Sequence, residues 1–258
     1  MKNLLFTMLG VMLISVTATA QNGWEDERLK GLVIMVKQRC HKVLLTPEGP
    51  QKGNVANCIV GNEDHVFDQR GRCAEVSSYS ADNKLEWKAS YDYKSDDKAE
   101  MVLTSVSGSV QSKTVYHYNS AGKITEEQLY NVQGDLLEKL EHRYDANNAN
   151  KISTSCYKPK GGLSWKENYE YDKLGNKISY KHYDATGKLG WQTVYKYDRF
   201  GVKIEEGSYD ASGNELSLSA YEYVYDYYNN WIQQIIFTYD LNKNKIPENI
   251  IERDITYY

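Results

Sequence analysis

The chain is poor in proline, in phenylalanine and in long apolar runs. Four of its 258 residues are proline and four are phenylalanine. After residue 20, no apolar run reaches the roughly 20 residues that a membrane-spanning helix needs, so we expect no membrane span. Lys and Arg number 31 against 35 Asp and Glu, and a chain without a basic excess offers no face for phosphate groups. The charge balance therefore predicts no nucleic-acid partner.

Cysteine is also scarce, and the four residues are Cys40, Cys58, Cys73 and Cys156. In an exported chain they can be oxidised, and four cysteines allow three connectivities. The Thr-Pro-Glu-Gly-Pro run at 46–50 is a strong turn signal. A hairpin centred on Gly49 would place Cys40 opposite Cys58. We therefore predict a Cys40–Cys58 disulfide, with buried free thiols as the alternative.

The residue patterns of catalytic and metal sites are missing from the sequence. No serine or cysteine nucleophile lies in an elbow motif, and no glycine-rich loop precedes a helix. The cysteines and the five histidines form no close pair of the zinc-ligand type. The run at 240–244 has Lys245 and Ile251 where a calcium loop needs Gly and Glu. We predict a non-catalytic protein without a cofactor or a metal, with a secreted hydrolase as the alternative.

The first residues have the features of an export signal. Lys2 precedes a mostly apolar run at 4–16, and residues 18–20 form a small-x-small cleavage site. Cleavage after Ala20 predicts a mature chain in the periplasm, at the cell surface or outside the cell, with a net charge of about −5 once Lys2 is removed. An uncleaved N-terminal anchor is the alternative.

Tyrosine is abundant, with 23 residues, and it recurs beside a turn signal. The stretch 169–176 has the pattern Tyr-x-Tyr-Asp-x-x-Gly-Asn, and related stretches occur at 116–122, 195–201 and 209–214. The aromatic anchors, Phe67 and then tyrosines, lie alternately about 12 and about 14 residues apart, which makes a two-strand repeat of about 26 residues. Strands joined by such short turns predict antiparallel pairing.

These spacings predict an all-β fold, an antiparallel meander of about 26-residue two-strand repeats that forms one long twisted or curled sheet. We expect residues 1–20 to be the signal peptide and residues 21–66 to be an N-terminal strand or cap segment. Residues 67–258 are predicted to be the repeat region, which forms a single domain together with the N-terminal segment.

The turn chemistry predicts the register of the hairpins. Asp suits the first position of a type I turn, where its carboxylate accepts backbone N–H groups. Gly three residues later supplies the left-handed conformation of a bulge. In the 183–189 stretch this arrangement places Asp184 opposite Gly187 and Lys188. It also predicts three aromatic–aliphatic pairs across neighbouring strands, Tyr183 with Leu189, Tyr118 with Ile124 and Tyr130 with Leu136.

Side chains two residues apart in a strand share a face, and one face of every second strand carries large aromatic rings. The candidate binding residues on this aromatic ladder are Trp87, Trp165, Trp191, Tyr91, Tyr116, Tyr169, Tyr195 and Tyr223. The ladder is interpreted either as a platform for a glycan or an unknown protein, or as the packed core of a curled sheet. A homodimer through the aromatic face is a further possibility that the sequence allows.

The Tyr-x-Tyr-Asp-x-x-Gly-Asn pattern resembles the YD repeat of RHS-type proteins, over about residues 65–245. It is also similar to uncharacterised secreted proteins of Bacteroidetes that carry such repeats after a signal peptide. The resemblance implies extended antiparallel sheet. In large RHS proteins that sheet forms a shell around a cargo, whereas this chain has a longer unit and too few repeats to enclose one.

The sequence as a whole predicts an exported, non-catalytic repeat protein with a binding or cell-envelope structural role. The alternative is a carbohydrate-binding module that uses the Trp and Tyr ladder.

Overall fold

The computed structural model describes residues 29–58, 61–95, 98–240 and 242–258. Within these ranges the chain forms seventeen β-strands, and no helix there is long and apolar enough to cross a membrane. The predicted signal peptide and its cleavage site lie outside the described residues. The strands are β1 (Val33–Thr46), β2 (Gly49–Val55), β3 (Asn62–Phe67), β4 (Cys73–Tyr79), β5 (Leu85–Ser95), β6 (Lys98–Ser105), β7 (Val110–Tyr118), β8 (Ile124–Asn131), β9 (Leu136–Tyr144), β10 (Lys151–Tyr157), β11 (Leu163–Tyr171), β12 (Lys177–Asp184), β13 (Leu189–Tyr197), β14 (Lys203–Asp210), β15 (Glu215–Tyr225), β16 (Trp231–Tyr239) and β17 (Lys245–Tyr257).

The strands close into a barrel. From β3 to β17 each strand pairs antiparallel with the next, and β1 pairs with β3 on one side and with β17 on the other. Val36, for example, lies between His65 of β3 and Ile255 of β17. Sixteen of the described strands thus form a ring, while β2 makes a hairpin with the far end of β1.

The prediction of one long twisted or curled sheet is therefore wrong, although the strands are antiparallel and the fold is all-β. The ring closes because β1 offers hydrogen bonds on both of its edges, which removes the free edges that an open sheet would expose. β1 precedes the repeats and carries none of their Tyr–turn motifs, so the periodicity of the sequence could not show that it closes the ring.

The hairpin turns have the predicted chemistry. In the turn after β12, the Asp184 carboxylate accepts the N–H groups of Thr186 and Lys188, at 2.8 and 3.0 Å. The N–H of Gly187 donates to the carbonyl of Asp184, and Gly187 has a φ of +83°. These hydrogen bonds hold the pKa of Asp184 below its ordinary value, the Thr186 hydroxyl having the largest effect and the Lys188 N–H the next.

Each turn is followed by a bulge that fixes the register of the next hairpin. The three predicted pairs, Tyr183 with Leu189, Tyr118 with Ile124 and Tyr130 with Leu136, are confirmed, and each lies at a register shift.

The two faces of the barrel wall differ in chemistry. The inner face carries the predicted aromatic ladder. The outer face carries charged side chains paired between strands, together with aromatic rings such as Tyr157, which lies 5.3 Å from the Lys139 ammonium. Six such ion pairs lie on the outer face: Lys88–Glu75, Lys113–Glu100, Lys139–Glu126, Lys181–Glu170, Lys196–Glu205 and Lys245–Glu222. Exposed pairs of this kind contribute little stability, but they make the outer face hydrophilic around most of the ring.

A repeated hydrogen bond braces the wall from inside. In β5, β9, β11 and β13 the last tyrosine donates its hydroxyl to the carbonyl of the residue that begins the preceding strand, 20 residues earlier. The four tyrosine braces, each 2.8 Å long, are Tyr93 to Cys73, Tyr144 to Ile124, Tyr171 to Lys151 and Tyr197 to Lys177. Because the hydroxyl reaches a neighbouring strand, the ring lies along the wall instead of pointing into the lumen.

A disulfide joins Cys40 of β1 to Cys58, with 6.3 Å between the Cα atoms. The hairpin between β1 and β2 turns between Thr46 and Gly49, so it is centred slightly before Gly49. A register shift after His41 and the short segment that follows β2 then bring Cys58 to Cys40. The disulfide ties the closing strand to the chain just before β3.

The braces predict a loss of stability when a single hydroxyl is removed. Tyr171→Phe keeps the ring but leaves the Lys151 carbonyl without its donor, so we expect the free energy of unfolding to fall by about 1–2 kcal/mol. The measurement is urea denaturation followed by circular dichroism. Tyr227→Phe is the matched control because Tyr227 is 98% exposed, and it should leave the midpoint unchanged. Equal midpoints for wild type and Tyr171→Phe would show that the brace contributes nothing.

The disulfide predicts a second loss of stability. Replacing both Cys40 and Cys58 by Ser should lower the free energy of unfolding by about 3 kcal/mol, because the crosslink closes a loop of 18 residues and restricts the unfolded chain. Dithiothreitol should destabilise the wild type by a similar amount and leave the double variant unaffected, since Cys73 and Cys156 are not disulfide-bonded. A wild type that is insensitive to the reductant would contradict this account.

Candidate functional site: the inner wall of the barrel

The inner face holds all eight aromatic residues of the predicted ladder, but the fold divides them into two groups. Tyr91 and Tyr116 are buried, with exposed fractions of 9% and 0%. They pack in a core with Cys73, Ala89 and Ala99, whose small side chains leave room for the rings against the wall. These two tyrosines are core residues and are closed to a ligand.

The other six predicted residues are partly exposed although they point inward. They are Trp87, Trp165, Trp191, Tyr169, Tyr195 and Tyr223. Inward-facing rings that keep contact with solvent indicate that the lumen admits water beside them. The accessible part of the ladder lies mainly on β11 to β15.

Three adjacent strands present a continuous aromatic surface, which we call the Trp–His stack and define by Trp165, His182 and Trp191. The His182 ring lies 5.6 Å from Trp165 and 5.5 Å from Trp191, centroid to centroid, and it is nearly parallel to Trp191. Tyr180 contacts Trp191 edge-on at 4.7 Å. Strand register produces the stack, because His182 lies directly across from Trp191 on β13 and from Glu167 on β11.

His182 was not among the residues predicted from the sequence. It directly precedes the anchor Tyr183 in the sequence. The signal that could have found it is the predicted pairing of Tyr183 with Leu189, because extending that register one step along the strands brings His182 beside Trp191.

A row of lysines, also absent from the predicted site, crosses the same wall nearer the ends that carry the tyrosine braces. Lys151, Lys177 and Lys203 are the first residues of β10, β12 and β14, and they recur at the 26-residue period. They alternate with tyrosines of the intervening strands, and we call the set the Lys–Tyr belt: Lys151, Tyr169, Lys177, Tyr195, Lys203 and Tyr221.

Cation–π contacts connect the members of the Lys–Tyr belt. The Lys177 ammonium lies 5.7 Å from the Tyr169 ring and 5.2 Å from the Tyr195 ring. The Lys203 ammonium lies 5.6 Å from the Tyr195 ring and 4.5 Å from the Tyr221 ring. An ammonium over a ring face gains about 0.5–2 kcal/mol, more as the contact loses water.

Carboxylates on the same wall are held by specific donors. The Tyr169 hydroxyl donates to Glu167 at 2.6 Å, and the Tyr221 hydroxyl donates to Glu206 at 3.1 Å. Lys203 forms an ion pair with Glu206 at 2.7 Å. Both carboxylates are thus engaged by neighbouring groups of the belt.

Burial changes the titration of the belt. Burial lowers the pKa of Lys177, and the positive charges of Lys151 and Lys203 lower it further. Burial likewise raises the pKa values of Tyr169 and Tyr195, with a smaller contribution from nearby glutamates. The phenols therefore remain protonated donors in ordinary conditions.

The inner wall can bind but shows no arrangement of metal ligands. Among the described residues, no group of three or more His, Cys, Asp and Glu side chains could hold a metal ion. The His142 ring lies 2.8 Å from Glu127 and 2.9 Å from the Thr154 hydroxyl, so its two nitrogens are engaged by protein groups. The wall therefore offers flat aromatic surface flanked by ammonium, phenol and carboxylate groups, which together can hold a ligand by stacking and hydrogen bonding.

A solved structure shares the barrel fold. A porin-like protein from Bacteroides uniformis ATCC 8492 superposes with a TM-score of 0.60 at 11% identity, over 87% of this chain and 98% of that protein. A porin-like protein from Bacteroides vulgatus ATCC 8482 has a TM-score of 0.48 at 11% identity, over 86% and 98%. An outer membrane lipoprotein-sorting protein domain from Vibrio parahaemolyticus has a TM-score of 0.27 at 11% identity, over 92% and 93%. Only the first similarity is strong enough to support the fold.

The resemblance to YD-repeat proteins is not supported by these comparisons. The barrel with the TM-score of 0.60 is described as porin-like and comes from Bacteroides uniformis, which agrees with the predicted similarity to Bacteroidetes proteins and no further. In this chain the Tyr–Asp–Gly turns join the strands of a closed barrel. The pattern specifies only a hairpin, so the same pattern can occur in different larger sheets.

No curated protein matches the chain. A family model described as "Uncharacterised protein" matches residues 63–193, which is just over half of the 258 residues. The match includes all of β3 but its first residue, β4 to β12 completely and the first five residues of β13. It therefore contains Trp165, His182 and Trp191. On this evidence the chain belongs to the family described as "Uncharacterised protein".

Proposed function

We propose that this protein is an exported, non-catalytic barrel of the cell envelope that binds a carbohydrate on the inner wall of its lumen. The observation that carries the proposal is the Trp–His stack, a flat aromatic surface that stays partly exposed inside a closed barrel. An envelope role fits the description of the Bacteroides uniformis protein as porin-like. That description applies to the Bacteroides protein itself. The predicted export signal supports the same compartment.

A sugar suits the chemistry of the Trp–His stack. The C–H face of a pyranose ring can lie against an indole, and its hydroxyl groups then need donors and acceptors at the edges. Tyr180 and Tyr169 lie beside the stack, with ring centroids 6.1 Å apart. The Glu167 carboxylate is 3.5 Å from His182 and is placed to accept a hydroxyl.

The closed ring favours a ligand that is small enough to enter the lumen. An aromatic face on an open sheet would be available to a protein or to a second copy of the chain. In the barrel, that face is turned inward and the outer wall is charged. Pairing of two copies through the aromatic face stays a prediction.

The charges on the outer wall support the proposal that water surrounds the barrel. The strands of a membrane barrel present an apolar band to lipid, and Lys or Arg near the middle of that band costs about 2–4 kcal/mol each. Here, six Lys–Glu pairs are distributed over the outer face between β4 and β17, from Lys88–Glu75 to Lys245–Glu222. We infer that lipid does not surround this wall.

Glycan binding should depend on the Trp–His stack. On a glycan array and in titration calorimetry with the best array ligand, we expect Trp165→Ala and Trp191→Ala each to weaken binding at least about tenfold, since about 1.4 kcal/mol corresponds to a factor of ten. Tyr227→Ala, an exposed turn residue, is the control and should bind like wild type. Binding that survives both tryptophan substitutions would refute the stack as the site, and an array without any ligand would refute the proposal itself.

The charged outer wall predicts aqueous behaviour. In Triton X-114 phase separation, the protein should partition into the aqueous phase, because burying paired lysines and glutamates in detergent is unfavourable. A lipid-embedded porin run in parallel should enter the detergent phase. Recovery of this protein with the porin would overturn the assignment of the outer wall.

A further inference from the structure

We propose that the carbohydrate bound in the lumen is acidic, and that Lys177 of the Lys–Tyr belt binds a carboxylate of that sugar. This inference rests on the proposed function and adds the class of the ligand. The supporting observations are the position of Lys177, its lack of an anionic partner and its closeness to the Trp–His stack.

The lysines of the belt form an ordered row. Lys151, Lys177 and Lys203 begin alternate strands of the ring, so their backbones are two strand spacings apart, or about 10 Å. Each lysine lies on the inner face beside a tyrosine of the next strand. A row of equally spaced positive groups matches a polymer whose charged units repeat along its length.

Among the described residues, Lys177 has no carboxylate close enough to form an ion pair. Within the described part of the chain, no carboxylate lies within 4.0 Å of its ammonium. That ammonium lies 5.2–5.9 Å from the ring centroids of Tyr169, Tyr180 and Tyr195. Lys203, by contrast, is paired with Glu206. A partly buried ammonium without an anion loses hydration that aromatic rings replace only in part. Burial and the two neighbouring lysines lower the pKa of Lys177. An incoming carboxylate would supply the missing partner.

The nearby carboxylates do not fill this role. Glu167 accepts the hydroxyl of Tyr169, and Glu206 accepts Lys203 and the hydroxyl of Tyr221. Both carboxylates raise the pKa of Lys177, but each has a smaller effect on it than Lys151 or Lys203 has in lowering it. The local field at Lys177 therefore remains favourable to an anion.

Lys177 and the Trp–His stack can contact one short oligosaccharide. The ring of Tyr180 lies 5.9 Å from the Lys177 ammonium and 4.7 Å from the Trp191 ring. A sugar stacked on Trp191 would thus have Lys177 within reach of the next unit. Stacking supplies binding to any sugar face, whereas Lys177 supplies selection for charge.

The test is calorimetric titration of the full mature chain with three probes. They are a hexamer of α-1,4-linked galacturonic acid, the same hexamer fully methyl-esterified, and sodium sulfate. We expect the acidic hexamer to bind at least about tenfold more tightly than its ester. Lys177→Gln should bring the affinities for the two hexamers to within about twofold of each other.

Two further variants control for folding. Lys181→Gln changes a lysine of the same strand that pairs with Glu170 on the outer wall, and it should bind both hexamers like wild type. Lys177→Arg keeps the charge and should retain the preference for the acidic hexamer. Thermal denaturation by circular dichroism should give Lys177→Gln a midpoint close to that of Lys177→Arg, so that a binding loss is assigned to charge.

The possible outcomes separate this inference from the proposed function. Equal affinity for acid and ester, with binding that still requires Trp165 and Trp191, would refute the acidic ligand and leave carbohydrate binding intact. A preference for the acid that Lys177→Gln does not alter would also refute the inference. Sulfate that binds as tightly as the acidic hexamer, in a Lys177-dependent way and without the tryptophans, would refute the sugar and leave only a site for small anions.

Discussion

The whole structure depends on the two-sided pairing of β1. This strand forms antiparallel hydrogen bonds with β3 along one edge and with β17 along the other. Without it, the remaining strands would form a long meander with two open edges and one apolar face in water. The disulfide between Cys40 and Cys58 anchors β1 to the chain that enters β3, so the covalent link strengthens the ring at the place where it closes.

Closure also explains why the chain uses tyrosine on its inner wall. The inner wall must be apolar enough to hold the sheet together and must still meet water in the lumen. A tyrosine satisfies both demands, because its ring covers the small residues of a neighbouring strand and its hydroxyl donates to a backbone carbonyl. The braces repeat this solution at the 26-residue period and keep the rings along the wall, which leaves the lumen accessible beside the Trp–His stack.

The inner wall is divided into a packed part and a polar part, and the candidate site lies in the polar part. The part formed by β1 and β3 to β8 packs buried residues such as Val36, Ala99 and Ile124. Beyond β9, lysines occupy the strand starts where Cys73, Ala99 and Ile124 lie in the first part. The substitution of Lys151, Lys177 and Lys203 at these positions changes a packed surface into a polar one, next to the exposed stack. One half of the wall thus serves stability and the other half offers binding groups.

The sequence by itself determined the local structure. The Asp and Gly of each turn fix the hairpin geometry through hydrogen bonds within five residues, so the register of Tyr183 with Leu189 and of Tyr118 with Ile124 could be predicted from spacing. Alternation along each strand likewise put Trp165, Trp191 and the tyrosines of the ladder on one face. These inferences needed only contacts between residues that are close in the chain.

Only the tertiary structure decided what that face encloses. The closing contacts join residues about 220 positions apart, such as Val36 and Ile255, and they depend on backbone hydrogen bonds that any sequence can form. The repeat pattern therefore could not distinguish an open sheet from a ring. The exposure of Trp165, the burial of Tyr116 and the position of Lys177 among three tyrosines follow from the curvature of that ring, which no local pattern in the sequence encodes.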